Sequence, residues 1–271
     1  MEHISVRRLA NLLLFFALLL GVCAGCKKKT ETAAAAASPT PTPAAPQFAT
    51  PREVAPPITG PVTPALVNQD AESITNYLHF PTDPEAAKLD GAVQFYSDVT
   101  DEGFVETTHA LIGNTGAFKA AVQKALDWGR FTPATVDGKP VRTYLGGTVL
   151  FFHQDGKEVI VISLATQDRD RVGKLANYIQ PQLIGGLRRA LEKSIASLQQ
   201  GVVIGGKAEV VVSVDPKGAI TGTSAISESP KDSGLGILLN DAVRGAQFTP
   251  AYENGKPAVG GINVVADYSK F

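Results

Sequence analysis

The chain has 271 residues, and its 25 Lys+Arg stand against 26 Asp+Glu for a formal charge of −1. That balance leaves no basic stripe and so excludes a nucleic-acid partner. Cys23 and Cys26 are the only two cysteines, both close to the N-terminus, so the rest of the chain holds no disulfide and no thiol chemistry.

Arg7 and Arg8 precede an apolar run from Leu9 to Leu20, followed by Val22-Cys23-Ala24-Gly25-Cys26. A positive n-region, a short apolar segment and small residues before a cysteine mark an export signal over 1–25. The run is shorter than the roughly 20 apolar residues that span a bilayer. Ala24-Gly25-Cys26 resembles the bacterial lipobox, with Cys23 where that box usually carries leucine. The resemblance implies that Cys26 becomes the lipidated first residue. From there to residue 66, runs such as Ala33–Ala37 and Pro39-Thr40-Pro41-Thr42-Pro43 cannot bury a core. They favour an extended tether of polyproline character. Roughly 200 residues remain, enough for two modest domains.

Those residues repeat themselves. Phe131-Thr132-Pro133-Ala134 with Gly138-Lys139-Pro140 returns 117 residues later as Phe248-Thr249-Pro250-Ala251 with Gly255-Lys256-Pro257. The interval suits a duplicated small domain rather than a solenoid unit. Each copy opens on a predicted hairpin. Ala208, Val210, Val212 and Val214 alternate with Glu209, Val211 and Ser213, turn at Asp215-Pro216-Lys217-Gly218, and return over Ala219–Ile226. The first copy matches with Val93–Val99, a turn at Asp101-Glu102-Gly103, and Phe104–Ile112.

A helix follows in each copy. Phe118, Ala121, Val122, Ala125 and Leu126 make one apolar face, and Leu235, Leu238, Leu239, Ala242 and Val243 share its phase. Pro133 and Pro250 bar the helix from continuing past the repeated words. Asp137-Gly138 and Asn254-Gly255 are turn signals. Closing strands are expected at Thr148–Phe152 and Ile262–Tyr268.

This arrangement resembles the C-terminal domain of the TonB family, which carries a phrase close to Ala-Val-Arg-x-Trp-Arg-Phe-x-Pro-Ala. The second copy reads Ala242-Val243-Arg244-Gly245-Ala246-Gln247-Phe248-Thr249-Pro250-Ala251, with alanine in the tryptophan slot. The first places Trp128 one position early. The resemblance implies an α+β fold of two tandem small modules, each an antiparallel β-β-α-β sheet with a helix on one face. The expected organisation is a signal over 1–25, a tether over 26–66, a first module with an extra strand over 67–166, and a helical connector with the second module over 167–271.

Between the copies, Asp155-Gly156 signals a hairpin into an apolar strand, Val159–Ala165. Asp168 could N-cap a helix bearing Val172, Leu175, Ala176 and Ile179; a second bears Leu187, Leu191, Ile195 and Leu198. TonB-family closing strands accept partner peptides by strand addition. In the first copy Val159–Ala165 would cover that edge. In the second the edge is expected to stay open, which makes Ile262, Asn263, Val264, Val265, Ala266, Asp267 and Tyr268 the candidate partner-binding residues.

The four histidines, His3, His79, His109 and His153, share no metal-ligand spacing. No nucleophile elbow, Ser-x-x-Lys motif or phosphate loop appears. Asp168 and Asp170 sit where helix capping explains them. No catalytic, metal or cofactor-binding residue is assigned. The expectation is a non-enzymatic, lipid-anchored envelope protein that faces the periplasm, more readily from the outer membrane than the inner, and holds a protein or peptide. The alternative is a TonB-type energy transducer with an uncleaved anchor. A short apolar run before a lipobox argues against it.

Overall fold

The computed structural model describes residues 53–165, 177–196 and 204–271. They form a mixed α+β fold of mostly antiparallel strands. In chain order these are β1 (Val62–Thr63), β2 (Leu66–Val67), β3 (Gly91–Val99), β4 (Val105–Gly113), α1 (Gly116–Trp128), β5 (Phe131–Thr132), β6 (Ala134–Val136), β7 (Lys139–Val141), β8 (Thr143–Gln154) and β9 (Lys157–Ser163). There follow β10 (Tyr178–Ile179), β11 (Leu183–Ile184), α2 (Gly186–Ile195), β12 (Lys207–Val214), β13 (Ile220–Ser229), α3 (Leu235–Arg244), β14 (Gln247–Phe248), β15 (Ala251–Glu253), β16 (Lys256–Ala258) and β17 (Gly260–Asp267).

The hairpins form where alternation and turn chemistry place them. β3 pairs with β4 through Val99 opposite Val105, and β12 with β13 through Val214 opposite Ile220. Gly103 and Gly218 take φ of 94° and 81° in the two turns. Asp137-Gly138, Asp155-Gly156 and Asn254-Gly255 all have positive φ at both residues and close two-residue hairpins. That backbone matches the right-handed twist of the flanking strands.

Both helices cover the apolar side of their hairpin. Thr115 Oγ1 accepts from the Phe118 N–H at 3.4 Å and caps α1. Phe118, Val122, Ala125 and Leu126 are buried with Val93, Phe95, Leu145 and Val149. Leu235, Leu238, Leu239, Ala242 and Val243 are buried with Val210, Val212 and Val264. The repeated phenylalanines, Phe131 and Phe248, are both in the core.

Two sequence-based boundaries move. The closing strand of the first copy runs from Thr143, five residues earlier than expected, because Gly146-Gly147 lies inside it rather than at its entry. A Cβ at Gly147 would stand 2.7 Å from the Phe95 ring, so the glycine makes room for a neighbour within the strand. The region assigned to the tether already contains β1 and β2, which pair with β6 and β5. Between them Ala65 is fully buried, and its N–H and C=O both bond the Gln182 side chain, at 2.7 and 2.9 Å. The helix expected after Asp168 lies outside the described residues. The next is α2, which packs against α3, β3 and β8.

Sheet topology ties the two halves of the chain together. One sheet has the order β14-β11-β8-β3-β4, with β9 also on β8; another has β13-β12-β17. Thus β11 and β14, from the C-terminal half, extend the sheet built by β3, β4 and β8. Tyr96 and Tyr144 of that sheet are buried in the same apolar cluster as Leu187, Leu191, Val264 and Val265.

A Cβ at Gly103 would fall 2.0 Å from the Phe131 carbonyl oxygen, whereas one at Gly138 would meet nothing within 4 Å. Both residues have positive φ. Gly103→Ala is therefore expected to cost about 2–4 kcal/mol and Gly138→Ala about 1 kcal/mol, measured by urea unfolding. Equal losses would contradict the packing described for the first turn.

Candidate interaction site at the closing strand

β17 is the strand that sequence reading singles out, and its inner side pairs with β12 in unbroken register from Gly260–Val214 to Asp267–Lys207. Its outer side is not open. The Val265 N–H donates to Tyr144 Oη at 2.8 Å, and the Tyr144 hydroxyl donates to the Asn263 carbonyl at 3.3 Å. These are two of the backbone groups that a strand laid against the centre of this edge would use. Val265 is 7% exposed, Val264 and Ala266 are fully buried, and Ile262 and Tyr268 nearly so. The expectation of a free edge at Ile262–Tyr268 is therefore corrected: the first sheet, through Tyr144, already occupies its middle.

The position of Tyr144 follows from its strand. It sits opposite Asp98 of β3 and Leu183 of β11, on the face of the sheet away from α1. Tyr96, two residues from Asp98 on the same face, stacks on it with centroids 6.4 Å apart. Burial pushes both phenols above their ordinary range, and Glu209 adds to the effect at Tyr96. Tyr144 thus keeps its proton and can donate and accept at once. Asn263 adds a side-chain bond from Nδ2 to Glu209 Oε1 at 2.8 Å.

The remaining predicted residues continue this contact. Asp267 accepts from the Ser269 N–H and Oγ at 3.2 and 2.5 Å and lies 3.6 Å from Lys207. Burial raises its carboxyl, but the Ser269 bonds, Lys207 and Lys270 outweigh that and hold it below the usual range. Lys270 Nζ donates to the Thr108 carbonyl of β4, and the Phe271 ring lies over His109, 5.9 Å away at 18°.

His109 is almost wholly buried, and its Nε2 is 3.1 Å from Asp98 Oδ2. An ionised carboxylate only accepts, which puts the imidazole proton on Nε2. Nδ1 is buried with no hydrogen-bond partner among the described residues. Asp98 also accepts from the Leu187 and Arg188 N–H groups at 2.8 and 3.3 Å. It therefore caps α2 from another element, where Gly185 has no capping side chain to offer. A carboxylate there meets both orphan donors and the positive end of the helix. Beside it a cleft of about 520 Å³ is lined by Glu106, Arg142, Arg188, Arg189 and Glu192. Arg142 holds both oxygens of Glu106 at 2.9 and 2.7 Å, and Glu106 raises its pKa.

Among the described residues no group of three His, Cys, Asp or Glu side chains is placed to hold a metal ion. His153 stands apart, 3.5 Å from Asp90 through Nδ1. Lys139 and Lys256 are exposed first residues of β7 and β16, next to the turns. Cys26 lies outside the described residues. Sequence reading missed Tyr144, Tyr96 and Asp98. The one available signal was the run Thr143-Tyr144-Leu145 just before Gly146-Gly147, which extends the closing strand if the glycines are kept within it. No family model, curated protein or solved structure matches the chain.

Tyr144→Phe removes one hydroxyl and strands a buried and a part-buried backbone group. Its expected cost is about 1–3 kcal/mol in urea unfolding. Asp98→Ala leaves two helix N–H groups and the His109 Nε2 proton unmet, for about 3 kcal/mol or more. A neutral result at Tyr144 would mean that water replaces the hydroxyl at no cost.

Proposed function

We propose that the chain is a lipid-anchored cell-envelope protein that holds a protein or peptide without catalysing a reaction, built from two tandem modules like the C-terminal domain of TonB proteins. The observation that carries the reading is the recurrence of one element order. β3, β4, α1 and β5–β8 have counterparts in β12, β13, α3 and β14–β17, with β6 and β7 returning residue for residue 117 positions later as β15 and β16. Two hairpin sheets, one covered by α1 and α2 and the other by α3, make a binding scaffold rather than a cleft with reacting groups at its floor. The buried side chains of Asp98 and His109 are spent on capping α2 and on each other.

The anchor places this scaffold. Lipidation at Cys26 would hold it on the periplasmic side of an envelope membrane, with 27–61 as the spacer before β1. Lys27 after the cysteine favours the outer membrane. A partner captured by strand addition would use an edge other than that of β17.

Mass spectrometry of the mature protein is expected to find diacylglyceryl-Cys26 as the first residue, and Cys26→Ser is expected to leave the protein unlipidated. An intact Met1–Gly25 segment on the mature protein would contradict this function and favour a transducer held by its N-terminus.

A further inference from the structure

β4 and β13 hold the same place in their sheets, each the outer strand of a hairpin. The turn pairs Val99–Val105 and Val214–Ile220 set the correspondence, so Thr108 opposite Ser97 matches Thr223 opposite Val212. In the first sheet this edge is covered from within the chain. Lys270 donates to the Thr108 carbonyl, and Phe271 lies over the adjacent His109.

In the second sheet nothing equivalent covers it among the described residues. Among the described strands β13 pairs with β12 alone, and seven of its ten residues are exposed. From Ile220 to Ser227 it carries neither a charge nor a proline, although two register irregularities bend it. Edge strands are ordinarily guarded by lysine, proline or a covering element. Of these devices β13 has only the bulges.

A second observation points to the same place. Thr223 Oγ1 and Asn240 Oδ1 are buried with no hydrogen-bond partner among the described residues. Thr223 is opposite Val212, on the α3 side of the sheet. A Cβ on Gly236 of α3 would stand 3.5 Å from Ala225 Cβ of β13, and Asn240, four residues on, falls in the same row of the helix. Thr223 Oγ1 and Asn240 Oδ1 thus lie buried between β13 and α3, beneath the surface beside this edge. Exposed apolar side chains stand on both elements: Ile226 of β13 is 53% exposed and Ile237 of α3 is 58% exposed.

We propose that β13 is a docking edge for an extended segment of a partner polypeptide. A cationic side chain of that segment sits on the Thr223 carbonyl, and a neighbouring aromatic or aliphatic side chain lies on Ile226. This rests on the binding-module reading and names its site. The occupant's chemistry follows from the first sheet, where a lysine followed by an aromatic ring covers the corresponding edge. A second β13, uncharged over Ile220–Ser227, brings no such cation, which argues against edge-to-edge pairing of two copies.

The probe is a synthetic fluorescent peptide copying Asn263–Phe271, added to the purified full chain and followed by anisotropy and by amide hydrogen exchange. Saturable binding is expected, with exchange slowed over Ile220–Ser229. Ile226→Lys is expected to weaken it at least tenfold while leaving the urea midpoint unchanged, and a peptide with glutamate in place of its lysine is expected not to bind. Val259→Lys, at an exposed residue before β17, serves as the neutral control. The proposal is overturned by absence of saturation, by protection confined to other strands, or by binding indifferent to Ile226→Lys. Dimerisation of the chain through β13 that excludes the peptide would also overturn it. The assay uses no membrane, so its failure leaves the anchored-scaffold reading standing, and an unlipidated Cys26 would leave this edge untouched.

Discussion

The outer side of β17 presents a buried N–H at Val265 and a part-buried carbonyl at Asn263, and the chain meets both with the Tyr144 hydroxyl. Backbone groups in such a position must be paired, because each orphan costs as much as several weak contacts return. The relation between the halves of the molecule depends on that requirement. Tyr144 reaches β17 only if β8 runs back to Thr143, if β11 lies beside it, and if α2 closes over Tyr96 and Asp98. The phenol acts where a neighbouring strand would otherwise be needed.

The same constraint explains why the two hairpin-and-helix segments that carry the repeated words end up unlike. In the first, the face beyond α1 carries Tyr96, Asp98, His109 and Tyr144, and it receives α2 and the closing strand of the second. In the second, the places of Asp98 and Tyr144 fall to Ser213 and Gly261, both exposed. Small and hydroxyl-bearing residues there cannot cap a helix from a distance or bridge a strand edge. One copy therefore buries its outer face and the other keeps it in solvent. A single apolar cluster that includes Tyr96, Leu187 and Val264 makes the two sheets interdependent rather than separate beads on a string.

Much of this was legible in residue order. Alternation over Ala208–Val214, the helix phases and the Asp-Gly and Asn-Gly turns are local signals, and local physics fixes them: twist, side-chain period and positive φ. The repeated words also marked where the copies correspond. What could not be read was non-local. Nothing near Tyr144 announces that its hydroxyl meets residues 119 and 121 positions away. Nor does Asp98, inside an alternating strand, declare that it caps a helix 89 residues on. Gln182, whose side chain pairs with Ala65, likewise resembles any polar residue beside a proline. The error over the β17 edge came from judging an edge by its own strand, when its state is decided by what the other half of the chain lays against it.

Amide hydrogen exchange at Val265 tests the central claim most directly. If Tyr144 fills the edge of β17, this amide opens only with global unfolding, and its exchange free energy matches that of core amides such as Val212. Exchange of Val265 as fast as that of the exposed amides of β13 would show an open edge and contradict the account.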